Sequence, residues 1–120
     1  MNCLFIEYPK CSTCRKAKKW LEENNIKFED RHIVENNPTK EELTEWIKRS
    51  GLPIKKFFNT SGMLYREMNL KDKVKIGDFE ELVDVLSTNG MLIKRPLLVS
   101  DNFVLVGFKE QEWSENLLLL

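Results

Sequence analysis

The feature of this sequence that most restricts its fold is a C-x-x-C pair, Cys11 and Cys14, that closely follows a short apolar run. Residues 2–8 contain four apolar residues in succession, as expected of a strand that is buried on both faces. Pro9 ends this strand, and the spacing of apolar residues that begins around Ser12 predicts a helix. The two cysteines are therefore expected at a strand-to-helix junction, in the first turn of the helix.

The segments that follow predict a second strand and then a helical region. Residues 26–34 contain alternating apolar residues, and this second strand should lie parallel to the first through a right-handed crossover. Thr39 and Glu42 form a capping-box pattern that begins the next helix. Apolar residues at helical spacing continue from there, so we predict a helical insertion at about residues 38–90.

The C-terminal part of the chain predicts a hairpin and a last helix. Residues 97–99 and 103–106 are short apolar runs on either side of a two-residue turn, which is typical of an antiparallel hairpin. A final helix is expected from about Glu110. The order β-α-β, helical insertion, β-β-α, with a C-x-x-C pair at the first helix, predicts an α/β thioredoxin-like fold with a small mixed sheet. We expect residues 1–120 to form a single domain.

Charge and cysteine content limit the classes of function. Lys+Arg and Asp+Glu both number 19, so the formal net charge is zero and binding to nucleic acid through bulk positive charge is not expected. The longest apolar run, Leu117 to Leu120, is too short to cross a membrane, and the N-terminus lacks the pattern of a signal peptide. Three cysteines, an odd number, fit poorly with a secreted disulfide framework. We therefore expect a cytoplasmic protein that binds neither membrane nor nucleic acid directly.

The position of the cysteine pair predicts thiol chemistry. The N-terminus of a helix favours an anion, so the pKa of the Cys11 thiol should be lowered there. Lys10 and Arg15 flank Cys11 and add positive charge. The residues between the cysteines are polar and can donate hydrogen bonds to sulfur. Cys14 lies one helical turn later, so by position Cys11 attacks a substrate and Cys14 resolves the intermediate.

Two other interpretations of the pair remain open. A C-x-x-C pair can be half of a structural zinc site, but such a site needs four ligands and only Cys3 and His32 remain. Cys3 is expected in the core of the first strand and His32 in a structural or solvent-facing position, so we expect no metal and no cofactor. Alternatively, Cys14 is a buried core thiol and Cys11 acts alone.

A second candidate position is the segment Lys94-Arg95-Pro96, just before the hairpin. In a thioredoxin-like fold this proline lies beside the active cysteine, and its peptide bond is usually cis. Arg95 would then direct its planar guanidinium towards an oxyanion or a thiolate near Cys11. The alternative is an ordinary turn proline with exposed basic neighbours.

Four segments together resemble the arsenate reductase-like (ArsC/Spx) family. They are residues 8–17 (YPKCSTCRKA), 58–62 (FNTSG), 92–97 (LIKRPL) and 106–108 (VGF), and they span nearly the whole chain in the family's order. The resemblance implies a thioredoxin-like domain with a helical insertion, in which Cys11 is the catalytic cysteine and Arg95 binds the oxyanion and stabilises the thiolate. The sequence thus gives three candidate catalytic residues, Cys11, Cys14 and Arg95, and six candidate substrate-binding residues, Lys10, Ser12, Thr13, Arg15, Asn59 and Pro96.

The chain departs from the arsenate reductases of that family in its arginines. Those enzymes carry a further arginine where this chain has Asn59, and a third one that is replaced around Gly107. Each lost bidentate contact removes very roughly 1.5–3 kcal/mol of charge-assisted hydrogen bonding, which argues against arsenate as the substrate. The glutaredoxin-coupled enzymes also lack a cysteine at the Cys14 position. The chain resembles the uncharacterised reductase-like members most closely.

The resemblance implies two different functions. The first is a thiol oxidoreductase that reduces an oxyanion or a disulfide, with electrons from thioredoxin, glutaredoxin or a small thiol. The second is the function of the Spx and MgsR branch, whose members share the C-x-x-C pair. Those proteins are redox-sensing transcriptional regulators that bind the C-terminal domain of the RNA polymerase alpha subunit.

Overall fold

The structure is a computed structural model that describes residues 2–118. Within this range it contains four strands, β1 (Cys3–Glu7), β2 (Glu29–His32), β3 (Leu97–Ser100) and β4 (Val104–Val106). The six α-helices of the same range are α1 (Ser12–Glu23), α2 (Lys40–Ser50), α3 (Met63–Glu67), α4 (Leu70–Ile76), α5 (Phe79–Ser87) and α6 (Glu110–Leu117). Short 3-10 helices cover Ile54–Phe57 and Gly90–Leu92. None of the described helices has the length and apolar character that a membrane span requires.

The four strands form one mixed sheet in the order β2-β1-β3-β4. β1 pairs in parallel with β2, with Leu4 opposite Glu29, and antiparallel with β3, with Cys3 opposite Ser100. β3 and β4 form the antiparallel hairpin, and the Ser100 N–H donates to Phe103 O at 2.9 Å across the two-residue turn. The predicted element order, mixed sheet, parallel first pair and hairpin are all confirmed.

Contacts divide the chain into two compact units. The first unit comprises the residues up to His32 and those from Arg95 onward, and it holds the sheet with α1 and α6. The second unit is Ile33–Lys94 and holds α2 to α5. The interpretation of the chain as a single domain stays a prediction.

The core of the first unit surrounds Trp113 of α6. Its indole ring makes edge-to-face contacts with Phe5 of β1 at 6.3 Å and with Phe108 at 4.9 Å between ring centroids. Trp20 of α1 packs against the same ring at 6.2 Å. The indole N–H donates to Gly107 O at 3.1 Å, which satisfies the buried polar group. Strand β1 and helix α1 are thereby fixed against one aromatic cluster.

Local signals set the helix ends of the second unit. Thr39 and Glu42 form the predicted capping box of α2, with the Glu42 N–H donating to Thr39 Oγ1 at 3.1 Å. Gly51 ends α2 in the left-handed conformation, at φ +72°. Asp78 caps α5 through a hydrogen bond of 2.8 Å from the Glu81 N–H.

One sequence prediction needs correction, and one helix was not predicted individually. The second strand was expected over residues 26–34 but covers only Glu29–His32. Ile26 and Phe28 lie before it and pack against the core of the first unit, so their alternating pattern reflects burial and not strand pairing. Helix α4, Leu70–Ile76, lies within the predicted helical insertion but was not predicted as a separate helix.

The apolar tail lies only partly within the described residues. Leu117 is buried, and Leu118 is 46% exposed. Leu119 and Leu120 lie outside the described residues.

Candidate active site

Cys11 is the N-cap residue of α1. Its backbone is extended, at φ −85° and ψ 121°, and its carbonyl accepts the first hydrogen bond of the helix, from the Arg15 N–H at 3.1 Å. Its own N–H donates to Tyr8 O at 2.9 Å, which holds the turn between β1 and α1. The sulfur accepts a hydrogen bond from the Cys14 N–H at 3.4 Å. A cysteine sulfur thus takes the place that a serine or aspartate oxygen usually has at a helix start.

These contacts favour the thiolate of Cys11. Burial of the half-exposed sulfur raises its pKa, but hydrogen bonds from the Cys14 thiol and the Cys14 N–H act in the opposite direction. The positive charge of Arg95 and the Thr13 N–H add to this lowering, and the pKa of Cys11 lies below the ordinary cysteine value.

Cys14 differs strongly from Cys11 although it lies only one helical turn away. Its side chain is fully buried, and this burial raises its pKa to about 12 despite a hydrogen bond from the Tyr8 N–H. The hydrogen bond that Cys14 donates to Cys11, and the negative charge of that neighbour, contribute further to the rise. At neutral pH Cys14 is therefore a thiol and a hydrogen-bond donor. All three cysteines of the chain are in the free form.

The segment before β3 brings a cation to the pair. The Arg95–Pro96 peptide bond is cis, as expected for a proline at this position of the fold. Pro96 is buried, and its carbonyl accepts a hydrogen bond from the Gly107 N–H at 2.8 Å. The guanidinium carbon of Arg95 lies 5.3 Å from the centroid of the Tyr8 ring, a cation–π geometry.

The structure places the nine predicted site residues in two groups. Eight of them belong to the first unit, where Lys10, Ser12, Thr13 and Arg15 are exposed around the start of α1. The exception is Asn59, which belongs to the second unit. Its N–H donates to Leu92 O at 2.8 Å, and its side-chain amide donates to Met91 O at 3.5 Å. The role of Asn59 in substrate binding stays a prediction.

Tyr8 was not predicted as a site residue. It contacts the Arg95 guanidinium, its ring packs edge-on against His32 at 5.7 Å, and its N–H donates to the Cys14 sulfur. A sequence signal existed, since Tyr8 precedes Pro9 in the cysteine motif, but an aromatic residue at a strand end is usually interpreted as core.

Glu7 is the second residue that sequence reasoning missed. Its side chain is only 5% exposed, and Glu7 Oε2 lies 3.7 Å from Lys18 Nζ, which is itself 2.7 Å from Asp30 Oδ2. Burial, together with a hydrogen bond to Asp30, raises the pKa of Glu7 to about 7. Nothing in an apolar strand pattern indicates a carboxyl group that is buried at its end.

The described residues contain no group of three or more His, Cys, Asp or Glu side chains that could hold a metal ion. Cys3 is 6% exposed in β1, where it belongs to the core cluster of the first unit.

The mixed sheet, the cysteine pair at the start of α1 and the cis-proline before β3 define a thioredoxin-like protein with a C-x-x-C pair. The chain belongs to the ArsC family, whose sequence model matches residues 6–116.

Relatives of known sequence include both uncharacterised and regulatory proteins. The chain is 53% identical to the uncharacterized protein YusI of Bacillus subtilis, over 97% of this chain and 98% of YusI. It is 30% identical to the regulatory protein MgsR of the same organism, over 90% of this chain and 84% of MgsR. It is also 30% identical to the global transcriptional regulator Spx of Staphylococcus epidermidis, over 87% of this chain and 78% of Spx.

Solved structures of similar proteins have the same fold. A protein from Bacteroides fragilis, described as ArsC family related, is 58% identical and superposes with a TM-score of 0.93, over 96% of this chain and 97% of that chain. A protein from Streptococcus mutans, described as a possible arsenate reductase, is 41% identical with a TM-score of 0.85, over 93% and 97%. The predicted family and fold class are confirmed.

Proposed function

We propose that the protein is a thiol oxidoreductase in which Cys11 is the nucleophile and Cys14 the resolving thiol. The observation that carries this proposal is the contrast within one helical turn: Cys11 is half-exposed with a lowered pKa, and Cys14 is buried and protonated. A reactive thiolate beside a protonated thiol is the arrangement that thiol–disulfide exchange requires.

The reaction with a disulfide substrate has two steps. The Cys11 thiolate attacks one substrate sulfur, the substrate S–S bond breaks, and the leaving thiolate takes a proton from solvent. Cys14 then loses its proton and attacks the Cys11 sulfur, which forms a Cys11–Cys14 disulfide and releases the second substrate thiol. The substrate gains two electrons, and the protein loses two. Thioredoxin, glutaredoxin or a small thiol returns them.

Arg95 has an electrostatic role in this proposal. Its charge favours the Cys11 thiolate and would also stabilise an anionic substrate such as an oxyanion. Arsenate is disfavoured as that oxyanion, because the family's two other arginines are absent at Asn59 and around Gly107.

Two cysteine variants test the proposal. Cys11→Ser should abolish turnover in a thiol-transfer assay with a disulfide substrate. Cys14→Ser should accumulate a mixed disulfide between substrate and Cys11, visible as an added mass. Cys3→Ser is the matched control, since Cys3 is a buried core residue of β1, and it should retain turnover. Full activity of Cys11→Ser would rule out the mechanism.

A second candidate function is that of a redox-sensing regulator without turnover. The similarity to MgsR and Spx, whose names describe regulators, favours it. In that case the dithiol and disulfide forms would differ in binding to the C-terminal domain of the RNA polymerase alpha subunit. A pull-down with that domain, with the protein oxidised and reduced, separates the two functions. Absence of binding in both the oxidised and the reduced state would rule out the regulator function.

A further inference from the structure

The second unit contains a surface cavity of about 390 Å³ that is open to solvent and that the proposed thiol chemistry does not use. Its volume lies within the range of small-molecule sites. Three lysines, a hydroxyl group, a phenol and one aliphatic side chain line it: Lys55, Lys71, Lys75, Thr60, Tyr65 and Val74. No carboxylate belongs to this lining, so the cavity walls carry three positive charges and two neutral hydrogen-bonding groups.

The three lysines form no ion pair within the described part of the chain. No described residue forms an ion pair with Lys55, Lys71 or Lys75, whereas Lys73 of the same helix α4 pairs with Glu81 at 3.3 Å. Lys71 and Lys75 are four residues apart on a helix. Like charges at this spacing repel each other and destabilise the helix. A bound anion would reverse this effect.

Tyr65 and Val74 give the cavity a partly apolar wall. Tyr65 is 8% exposed, and its ring is held edge-on by Phe58 at 6.1 Å. Val74 lies between Lys71 and Lys75 in sequence and is half-buried. The Thr60 hydroxyl and the Tyr65 phenol can both donate to oxygen acceptors. A single orthophosphate would fill only a small part of this space and would leave one or more lysines without a partner.

From the cavity volume, the three lysines and the two hydroxyl donors, we propose that this cavity binds a small molecule that carries a diphosphate group. Lys71 and Lys75 would each contact one phosphate, Lys55 would neutralise the remaining charge, and an attached organic group would pack against Val74 and Tyr65. Phosphate oxygens accept several hydrogen bonds at once, which suits a wall of three ammonium groups and two hydroxyl groups.

NMR titration of the reduced, full-length protein tests the proposal. Inorganic pyrophosphate and ADP are the two probes, because they separate the free anion from the phosphate ester. Saturable shifts of the amides of Thr60, Val74 and Lys75 are expected with either probe, and either result supports the site. Orthophosphate and succinate should bind at least about tenfold more weakly, because neither places two phosphate groups against the lysines. Absence of saturation with both pyrophosphate and ADP would overturn the proposal.

Charge variants show whether binding belongs to this cavity. The double variant Lys71→Gln, Lys75→Gln should weaken pyrophosphate binding by about tenfold or more. The matched control Lys16→Gln, Lys19→Gln removes the same charge from exposed positions of α1 and should leave the affinity unchanged. An equal loss in both variants would mean non-specific attraction and would refute the site. Lys71→Glu provides an opposite charge four residues from Lys75, so it should keep the helix folded while it abolishes binding.

Discussion

At the scale of single residues, the same chemical group behaves in two different ways within one helical turn. The sulfur of Cys11 occupies a position where helix N–H groups point at it, and that of Cys14 is fully buried under the helix. Hydrogen bonds and a nearby cation stabilise a thiolate, whereas desolvation destabilises one. The difference between the two thiols follows from where α1 begins, because the N-cap residue is the one that meets the unpaired N–H groups.

Arg95 gives a prediction at this scale. Its charge lowers the pKa of Cys11, so Arg95→Ala should raise that pKa and slow alkylation of Cys11 at pH 7 severalfold, since the thiolate fraction changes up to tenfold per pKa unit. Arg95→Lys keeps the positive charge, so it should slow alkylation of Cys11 less than Arg95→Ala does. Stopped-flow alkylation with iodoacetamide measures the rates. Equal rates for the wild type and Arg95→Ala would show that the cation does not act on the sulfur.

Glu7 gives a second prediction, on pH dependence. Burial and the hydrogen bond to Asp30 raise the pKa of Glu7 to about 7, so between its ordinary value and pH 7 the folded protein holds a proton that the unfolded chain releases. The stabilisation from Glu7 is therefore fully present at pH 4 and is lost as the pH rises to 7, by at most about 3 kcal/mol at about 1.4 kcal/mol per pKa unit. The pKa of Asp30 is lowered, so the titration of Asp30 changes the stability only at more acidic pH.

The measurement is the free energy of unfolding in urea at several pH values from 5 to 8. Glu7→Gln retains a hydrogen-bond donor towards Asp30 but cannot titrate, so its stability should fall less steeply with pH than that of the wild type. Glu29→Gln, at an exposed position of the adjacent strand β2, is the matched control and should keep the wild-type slope. Identical slopes for wild type and Glu7→Gln would contradict the account.

At the scale of elements, the sequence predicted the helices and strands whose ends are marked by a local residue pattern. The capping residue Thr39 identified the start of α2, because a side chain that bonds the first N–H groups leaves a pattern in the sequence. Helix α4 has no side-chain cap, and Asn69 before it is in the left-handed conformation, so no capping pattern in the sequence marked its start. The predicted bounds of β2 were wrong, because backbone pairing with β1 determines where β2 begins and ends. The polar side chains of β2 carry no signal of those bounds.

Gly90 illustrates a constraint that no local pattern reveals and gives a third prediction. A Cβ atom on Gly90 would lie 2.1 Å from Ile33 O, so the two backbones approach too closely for any side chain. Gly90→Ala should therefore cost more than about 2 kcal/mol of stability, because backbone must shift. Gly51 is the matched comparison: it has open space around it and a φ of +72°, so Gly51→Ala should cost only about 1 kcal/mol.

Thermal and urea unfolding of the two glycine variants measure this difference. Gly51→Asn should recover part of the loss at position 51, because asparagine tolerates the left-handed region. If Gly90→Ala were no more destabilised than Gly51→Ala, the close approach of Gly90 and Ile33 would be refuted.

At the scale of the whole molecule, each compact unit depends on its own set of contacts. In the first unit the fully buried Trp113 joins the terminal helix to the sheet and to α1. It also bonds Gly107 O, and the Gly107 N–H bonds Pro96 O. The core that stabilises this unit is therefore connected by hydrogen bonds to the cis-proline segment beside the cysteine pair.

Trp113 gives the fourth prediction. Trp113→Ala should lower the free energy of unfolding by about 3–5 kcal/mol, the cost of a large buried cavity. Trp113→Phe keeps an aromatic ring but loses the N–H donor to Gly107, so its cost should be smaller. Urea unfolding followed by far-UV circular dichroism measures both. A loss below about 1 kcal/mol for the alanine variant would show that the cluster is not the core of the unit.

The sequence also predicted much of the candidate site, for a physical reason. Cys11, Cys14 and Arg95 lie at chain positions that the order of strands and helices brings together, so the fold alone indicated their proximity. Tyr8 and Glu7 were missed because their roles depend on side-chain packing at the end of β1. The cavity lysines were missed because charged residues on short helices look like an ordinary solvated surface.

The central claim is that the fold activates Cys11, and the pH dependence of its alkylation tests this most directly. The measurement uses the Cys3→Ser variant, reads modification at Cys11 by peptide mass, and is repeated with Cys14→Ser added. The account predicts an apparent pKa below the ordinary thiol value of about 8.5, because Arg95 and the helix N–H groups favour the thiolate. A pKa at or above that value would contradict it, and the proposed nucleophile would then be an ordinary surface thiol.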